Sequence, residues 1–294
     1  MNYQFENPIY NELKKLNLIK DKYLIKISSK TRDKKISVFQ DYKSKIIFLE
    51  KCATDLNYYS SVKYGGSKIK TSKGVINTPE ITDDKRRVKQ FQKFCNKKDV
   101  LDFGCGWGKF LSNLKYANSL SGIELRKECL SYIRKKNKKI NIKTNINSFN
   151  KKFDVITMFH VLEHIPFQQE ALKLLKNKLK KNGKIIIEVP HAQDFLLEFD
   201  ELKEFKNFTF WSEHLILHTY ASLKKILSKV GFKKIKINYF QRYGFDNHLG
   251  WFVTRKPGGH KFFKQYNSDI LNSNYLNNLV KLKKTDTLIA EAKI

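Results

Sequence analysis

Arginine is scarce in this 294-residue chain, although its formal charge is +30. Only Arg32, Arg86, Arg87, Arg126, Arg134, Arg242 and Arg255 occur, so almost all of the positive charge is lysine, spread along the whole length. Arginine supplies the bidentate contacts that read phosphates and bases, and its shortage argues against a dedicated nucleic-acid surface. Lysine accompanied by abundant asparagine and isoleucine fits a compositional bias that fills solvated helix faces, and it is compatible with an attraction for anionic metabolites. Cysteines are few (Cys52, Cys95, Cys105, Cys129) and none are in C-x-x-C spacing, which excludes a zinc finger and a disulfide framework. Reduced thiols in a cytoplasm follow as the expectation. The start, Met1 to Pro8, lacks the basic and apolar segments of a signal peptide. No apolar run reaches the ~18 residues that span a bilayer, so no membrane insertion is expected. Internal repeats are absent as well. What remains is room for one large α/β domain with additions, or for two smaller domains.

Against these absences stands the run Asp99-Val100-Leu101-Asp102-Phe103-Gly104-Cys105-Gly106-Trp107-Gly108-Lys109. An apolar strand pattern ends in an acid, three glycines follow at alternate positions, and an amphipathic helical pattern begins. Glycines suit a backbone that turns sharply and lets a ligand approach its N–H groups without meeting a Cβ. Strand and helix patterns then alternate. Strands are predicted at 100–103, 120–123, 140–143, 153–158, 184–190 and 232–240, with Gly250 to Thr254 as a candidate seventh. Helices are predicted at 83–94, 109–116, 128–137, 168–180 and 220–230, with Asn182-Gly183 stopping the one before the fifth strand. Such alternation is the signature of a parallel sheet covered on both faces.

Residues 1–80 read as a separate small β element, with strand patterns at 23–27, 36–39 and 45–49 and a turn at Asp41 to Ser44. The aromatic stretch Tyr58 to Gly66 reads either as a segment folding over a ligand or as an ordinary surface loop. Residues 191–218 interrupt the rhythm with Phe195, Phe199, Phe205, Phe208, Phe210 and Trp211. An insertion there lies at the carboxyl edge of the sheet, where open α/β folds bind ligands. Residues 257–294 read as a polar tail with helical leucines (Leu271, Leu276, Leu279, Leu282), loosely docked.

Four segments together resemble the class I S-adenosylmethionine (SAM)-dependent methyltransferases, over roughly residues 83 to 240. They are the glycine loop, Glu124 at the end of the second strand, Phe153 to Pro166 with its His160-Val161-Leu162-Glu163-His164-Ile165-Pro166, and Leu179 to Pro190. The fourth-strand segment is similar to small-molecule enzymes of the class, including those acting on quinones and nucleotide sugars. The resemblance implies a Rossmann-like seven-stranded sheet with helices on both faces and an antiparallel last strand. With it, 81–256 is read as the SAM-binding domain and 191–218 as its substrate insertion, while 1–80, which the resemblance does not cover, stay an N-terminal β-hairpin or lid element and 257–294 a tail. Asp102, Phe103, Gly104, Cys105, Gly106, Gly108, Glu124, Asn145 and Phe159 would hold the cofactor. An acid near the position of Glu124 suits a ribose diol. Asn145 stands where the class often carries an acid for the adenine amino group. The segments Trp211 to His214 and Lys256 to His260 lean towards enzymes of surface-polysaccharide pathways.

Methyl transfer needs positioning and a base for the acceptor proton. Histidine titrates near neutrality, and five of the seven histidines fall at this rim, as His160, His164, His191, His214 and His218. His160, Glu163, His164, His191 and His214 are the candidate catalytic residues. Each also has a structural reading: Glu163 and His164 as a helix start, His214 and His218 as one helix face, Cys105 as a small packing residue. A divalent ion on His160, Glu163 and His164 is a further possibility, whereas a protease is not indicated, because that spacing would need a long helix. The expectation is a methyltransferase acting on a hydroxyl or amine of a polar small molecule, such as a nucleotide sugar or polysaccharide precursor. The alternative is an RNA or DNA methyltransferase using the basic surface. Against it, the Asp/Asn-Pro-Pro-aromatic loop of amino-group base methylases is replaced here by Met158-Phe159-His160-Val161. Oligomeric state is left open.

Overall fold

The computed structural model describes residues 4–53, 58 and 79–294. The stretch from Tyr58 to Gly66, read above as a possible ligand cover, lies outside the described residues except for Tyr58.

The chain opens with α1 (Pro8–Lys15) and the strands β1 (Leu24–Ser28), β2 (Val38–Asp41) and β3 (Ile47–Leu49). There follow α2 (Pro79–Cys95), β4 (Asp99–Phe103), α3 (Lys109–Ser112), β5 (Ser119–Ile123), α4 (Lys127–Lys136), β6 (Ile140–Lys143) and β7 (Phe153–Phe159). Next come α5 (Gln168–Asn177), β8 (Leu179–Pro190), α6 (Lys203–Thr209), β9 (Ile216–Leu217), α7 (Tyr220–Val230) and β10 (Lys233–Phe240). The last elements are α8 (Phe245–Thr254), α9 (Gly259–Phe262), α10 (Asp269–Leu282) and β11 (Thr287–Lys293). No helix among the described residues is long and apolar enough to cross a membrane.

Seven strands form the large sheet in the order β10-β11-β8-β7-β4-β5-β6. Its β4, β5, β6 and β7 run parallel, with Asp102 beside Gly122 on one neighbour and Thr157 on the other. Val100, Leu101, Val155 and Ile156 are buried on both faces, as expected of a parallel sheet reached by helical crossovers. This is the predicted Rossmann-like seven-stranded sheet.

Two compact units divide the chain. One comprises Met1–Ala53, Leu162–Ala171 and Glu188–Glu291, the other Thr54–Val161, Leu172–Ile187 and Ala292–Ile294. In the first, the predicted N-terminal β element exists as an antiparallel β1-β2-β3 sheet, and the insertion adds β9 as its fourth strand. Ile9, Leu13, Val38, Phe39, Phe48 and Leu49 pack there with Phe210, Leu215, Ile216 and Leu217. Burying each of the larger side chains contributes roughly 1.5–3 kcal/mol. Asn7 ties three segments together. Its Oδ1 caps α1 by accepting from the Ile9 N–H, and its Nδ2 donates to the Leu49 and Leu215 carbonyls at 2.9 and 3.0 Å.

Three sequence expectations are corrected. Gly250 to Thr254 is part of α8 rather than a strand, because Gly250 and Gly259 bring α8 and α9 into close backbone contact. A Cβ on Gly250 would lie 2.3 Å from the Gly259 Cα. The seventh strand is β11, so the tail is not loosely docked: Leu288, Ile289, Ala290 and Ala292 are all buried. The helix before β8 ends at Asn177 rather than Lys180, and Asn182-Gly183 lies inside β8, where Asn182 takes φ +65°.

Candidate functional site

The glycine loop grows directly out of β4. Gly104 and Cys105 both donate to the Ile123 carbonyl at 2.9 Å, and Gly108 donates back to Cys105 at 2.8 Å. Gly104, Gly106 and Gly108 all have positive φ, which a side chain would strain. At Gly104 space forbids one as well, since a Cβ would sit 2.4 Å from the Val161 Cγ2. Cys105 is buried, with its sulfur against Gly122, and burial pushes its thiol well above the usual range, so it packs rather than reacts. Beside the loop, the buried Trp107 indole N–H has no acceptor among the described residues.

Glu124 follows β5 and is itself buried. Its Oε1 accepts from the Leu125 and Arg126 backbone N–H groups at 2.8 and 2.9 Å, while its other oxygen takes no hydrogen bond among the described residues. A carboxylate fixed through one oxygen and open at the other is the donor-seeking partner that a ribose diol requires. Positive-φ glycines, an orphaned indole N–H and a half-used carboxylate together fit a nucleoside cofactor.

Asp102 ends β4 in full burial, accepting from the Thr157 hydroxyl at 2.7 Å. Burial pushes its pKa up to about 7. Asp84 and Glu124 add to the rise, while the Thr157 hydroxyl and the Arg87 guanidinium oppose it. Asp84 and Arg87 lie on α2 and pair with each other at 3.3 Å. The sequence reading missed this pair. The i, i+3 spacing of acid and arginine was visible, but only the packing of α2 brings the charges to Asp102.

The Phe159 ring and the Asn145 side-chain oxygen both make contacts within the protein itself. The Phe159 ring stacks on Phe91 with centroids 5.7 Å apart, meets Phe110 edge-on and lies under the Arg87 guanidinium at 4.7 Å, so it is wedged in the core. The Asn145 oxygen caps the short turn Ile146–Ser148 by accepting from the Asn147 N–H at 2.9 Å, so that oxygen is already engaged.

The histidines separate. His160 terminates β7 with φ +53°, a left-handed conformation uncommon for a residue with a Cβ and typical of constrained sites. His191 is buried. Its Nδ1 lies 2.9 Å from the Thr285 carbonyl, and its Nε2 has no partner among the described residues. Burial lowers its pKa to about 4, so it is neutral at pH 7 and a weak base. His214 and His218 do not share a helix face. His218 follows β9, is buried and lies 3.2 Å from both Gln168 and Ser222, with its pKa lowered by burial to about 4. Glu163 and His164 lie in a single 3-10 turn, Leu162–His164, not at the start of a helix. The metal-capable group among the described residues is Glu163, His164 and His214; it excludes His160 and takes in His214 instead.

The profile of a family described as a methyltransferase domain matches residues 80–237, more than half of the chain. A curated relative, the ubiquinone biosynthesis O-methyltransferase of Glaesserella parasuis, is 31% identical over 104 residues, covering 31% of this chain and 44% of its own length. The mitochondrial ubiquinone biosynthesis O-methyltransferase of Saccharomyces cerevisiae is 30% identical over 98 residues, 30% of this chain and 31% of that protein. These matches span less than half of each relative. Among solved structures, magnesium protoporphyrin IX methyltransferase from Synechocystis PCC 6803, with bound S-adenosylhomocysteine, superposes with TM-score 0.51 at 14% identity. It covers 81% of this chain and 96% of the other, a likeness of fold.

Proposed function

Because the chain belongs to the methyltransferase-domain family, we propose that it moves a methyl group from SAM to a hydroxyl of a polar small molecule. The observation that carries the cofactor assignment is Glu124, locked through one oxygen and open at the other beside a positive-φ glycine loop. The curated relatives are O-methyltransferases by name, which favours oxygen over nitrogen as the acceptor atom. The narrower expectation of a nucleotide sugar or polysaccharide precursor has no counterpart among them, so a phenolic quinone precursor joins the sugars as a candidate acceptor.

When bound, SAM would supply the methyl of its sulfonium to the acceptor oxygen, the carbon–sulfur bond breaking as the neutral thioether S-adenosylhomocysteine is left. The chain's own part is placement, which is worth up to ~7–11 kcal/mol in well-oriented reactions. The open Glu124 oxygen would take the ribose diol. Gly104 and Gly106 would let the backbone approach the amino-acid end. Asp102, when ionised, would complement the ligand's positive charge from beneath the loop. The proton leaving the acceptor needs a base, and we assign it to His160, whose strained backbone holds it at the carboxyl end of β7. His191 is not assigned this role because burial keeps its pKa at about 4.

The raised pKa of Asp102 gives a pH test. Below about pH 7 the free protein carries a proton on Asp102, and a cationic ligand favours the ionised form. SAM affinity should therefore weaken as pH falls through 7, by up to about tenfold per pH unit for one linked proton. Calorimetry from pH 5.5 to 8.5 reads this slope, and D102N should flatten it.

The function itself is tested by labelled methyl transfer to a panel of catechols, phenols and nucleotide sugars. Incorporation into a hydroxyl compound is expected. Incorporation only into amines, or only into total RNA at physiological salt, would overturn the reading.

A further inference from the structure

The segments around Glu163 and His214 are held more firmly than a surface loop requires. The Leu215 N–H donates to the Glu163 carbonyl at 2.9 Å, and the His214 N–H to the Trp211 carbonyl at 3.0 Å. Asp33 accepts from both the backbone N–H and the hydroxyl of Ser212, at 3.0 and 2.6 Å. The Arg32 guanidinium covers Phe208 and Trp211 at 4.4 and 5.4 Å. Asn7 fixes the Leu215 carbonyl, and Gln168 donates to the Leu162 carbonyl at 2.7 Å. The N-terminal β element and the insertion thus clamp a short stretch whose side chains are a carboxylate and two imidazoles.

Those three side chains converge. The Glu163 carboxylate, with no exposure to solvent, lies 4.0 Å from the His164 Nε2, and the His164 and His214 rings meet at a centroid distance of 5.1 Å. One donor atom from each of the three lies within 4.8 Å of the others. His164 Nδ1 faces the Glu213 carbonyl at 2.8 Å. A carbonyl can only accept, so Nδ1 carries the proton and the Nε2 lone pair is turned towards Glu163. This is the outer hydrogen bond that sets the tautomer of metal-binding histidines. Ligand atoms around a tetrahedral zinc-sized ion lie roughly 3.3–3.5 Å apart, a small rotamer adjustment from the distances here.

We propose that Glu163, His164 and His214 form a site for a first-row divalent cation such as zinc. Two imidazoles and a carboxylate suit zinc, iron, cobalt or nickel, whereas magnesium and calcium prefer all-oxygen shells. Three protein donors leave a coordination position open, the pattern of an ion that binds water or a reacting oxygen rather than one that only staples a fold.

Metal uptake can be read without SAM or acceptor, so the site stands or falls apart from the methyltransferase reading. The chelator-treated full chain should take up one equivalent of Co2+ with visible d–d bands, and Zn2+ should displace it in calorimetry. E163Q and H214A should each weaken Co2+ binding by at least about 100-fold. H160A and H260A should bind as the parent does. Thermal unfolding of the variants checks that they remain folded. If E163Q does not fold, the partly exposed His214 position still decides the matter. A parent protein that takes up no stoichiometric metal, or an H214A protein that binds Co2+ as tightly as the parent, overturns the proposal. Loss of binding in H160A with retention in H214A overturns it in favour of the set read from the sequence spacing.

Discussion

A G104A protein is expected to lose measurable SAM binding, a drop of more than 100-fold in affinity, and to unfold at a lower temperature. Two independent costs combine at this position. With φ at +79°, an L side chain costs about 1–2 kcal/mol in conformational strain. Its Cβ would also come within 2.4 Å of the Val161 Cγ2, and relieving that overlap requires the loop or the end of β7 to shift. Either movement displaces the loop backbone N–H groups that we propose face the cofactor. Gly106 offers a contrast. There the nearest atom to an added Cβ is the Arg126 Nη2 at 3.2 Å, the mobile end of a long side chain, so G106A should be the milder change. The double variant G104A/V161A separates the two costs: it should recover most of the thermal stability, because the overlap is gone, while the φ strain persists. Calorimetry with SAM and thermal unfolding on the four proteins of the cycle give the answer. Full SAM affinity in G104A would remove the glycine loop from the binding site.

Deleting residues 287–294 is expected to leave a protein with no cooperative unfolding transition, and L288A alone should cost about 2–5 kcal/mol. Between β10 and β8 in the large sheet, β11 buries Leu288, Ile289, Ala290 and Ala292, none of which is more than 1% exposed. Without it both neighbours lose a ladder of backbone hydrogen bonds: β8 becomes an unpaired edge, and the edge strand β10 is left with no partner in the sheet. Urea unfolding followed by circular dichroism measures both effects. A tail that could be removed without loss of stability would match the polar-tail reading of the sequence and contradict this placement.

These two positions mark how far the sequence reaches. The glycine loop, Glu124 and the parallel core strands were legible because they depend on local rules. Alternating glycines require positive φ, an acid some 20 residues on falls at the next strand end, and apolar runs bounded by turns become buried strands. The N-terminal β element was legible for the same reason. β11 was not legible. Thr287-Leu-Ile-Ala-Glu-Ala-Lys293 is short and alanine-containing and follows a polar helix, so nothing in its own pattern distinguishes a central strand from a trailing end. Gly250 to Thr254 carried a strand-like aromatic and β-branched pattern, but the close packing of Gly250 on Gly259 fixes it as helix.

The candidate site divides in the same way. By itself the sequence determined the fold class, the glycine loop and the acid at the end of the second strand, because each follows from local spacing along one strand–loop–helix unit. Only the tertiary structure decided which of the candidate residues meet. It engaged the Asn145 oxygen in a turn cap and wedged Phe159 beneath Arg87. It buried His191 until its pKa fell to about 4, and it set His214, not His160, beside Glu163 and His164. The physical reason is that hydrogen-bond partners, burial and charge proximity depend on residues far apart in the chain. The Leu215 N–H on the Glu163 carbonyl and the Asn7 amide on the Leu215 carbonyl join positions 52 and 208 residues apart, and no local pattern encodes such pairings.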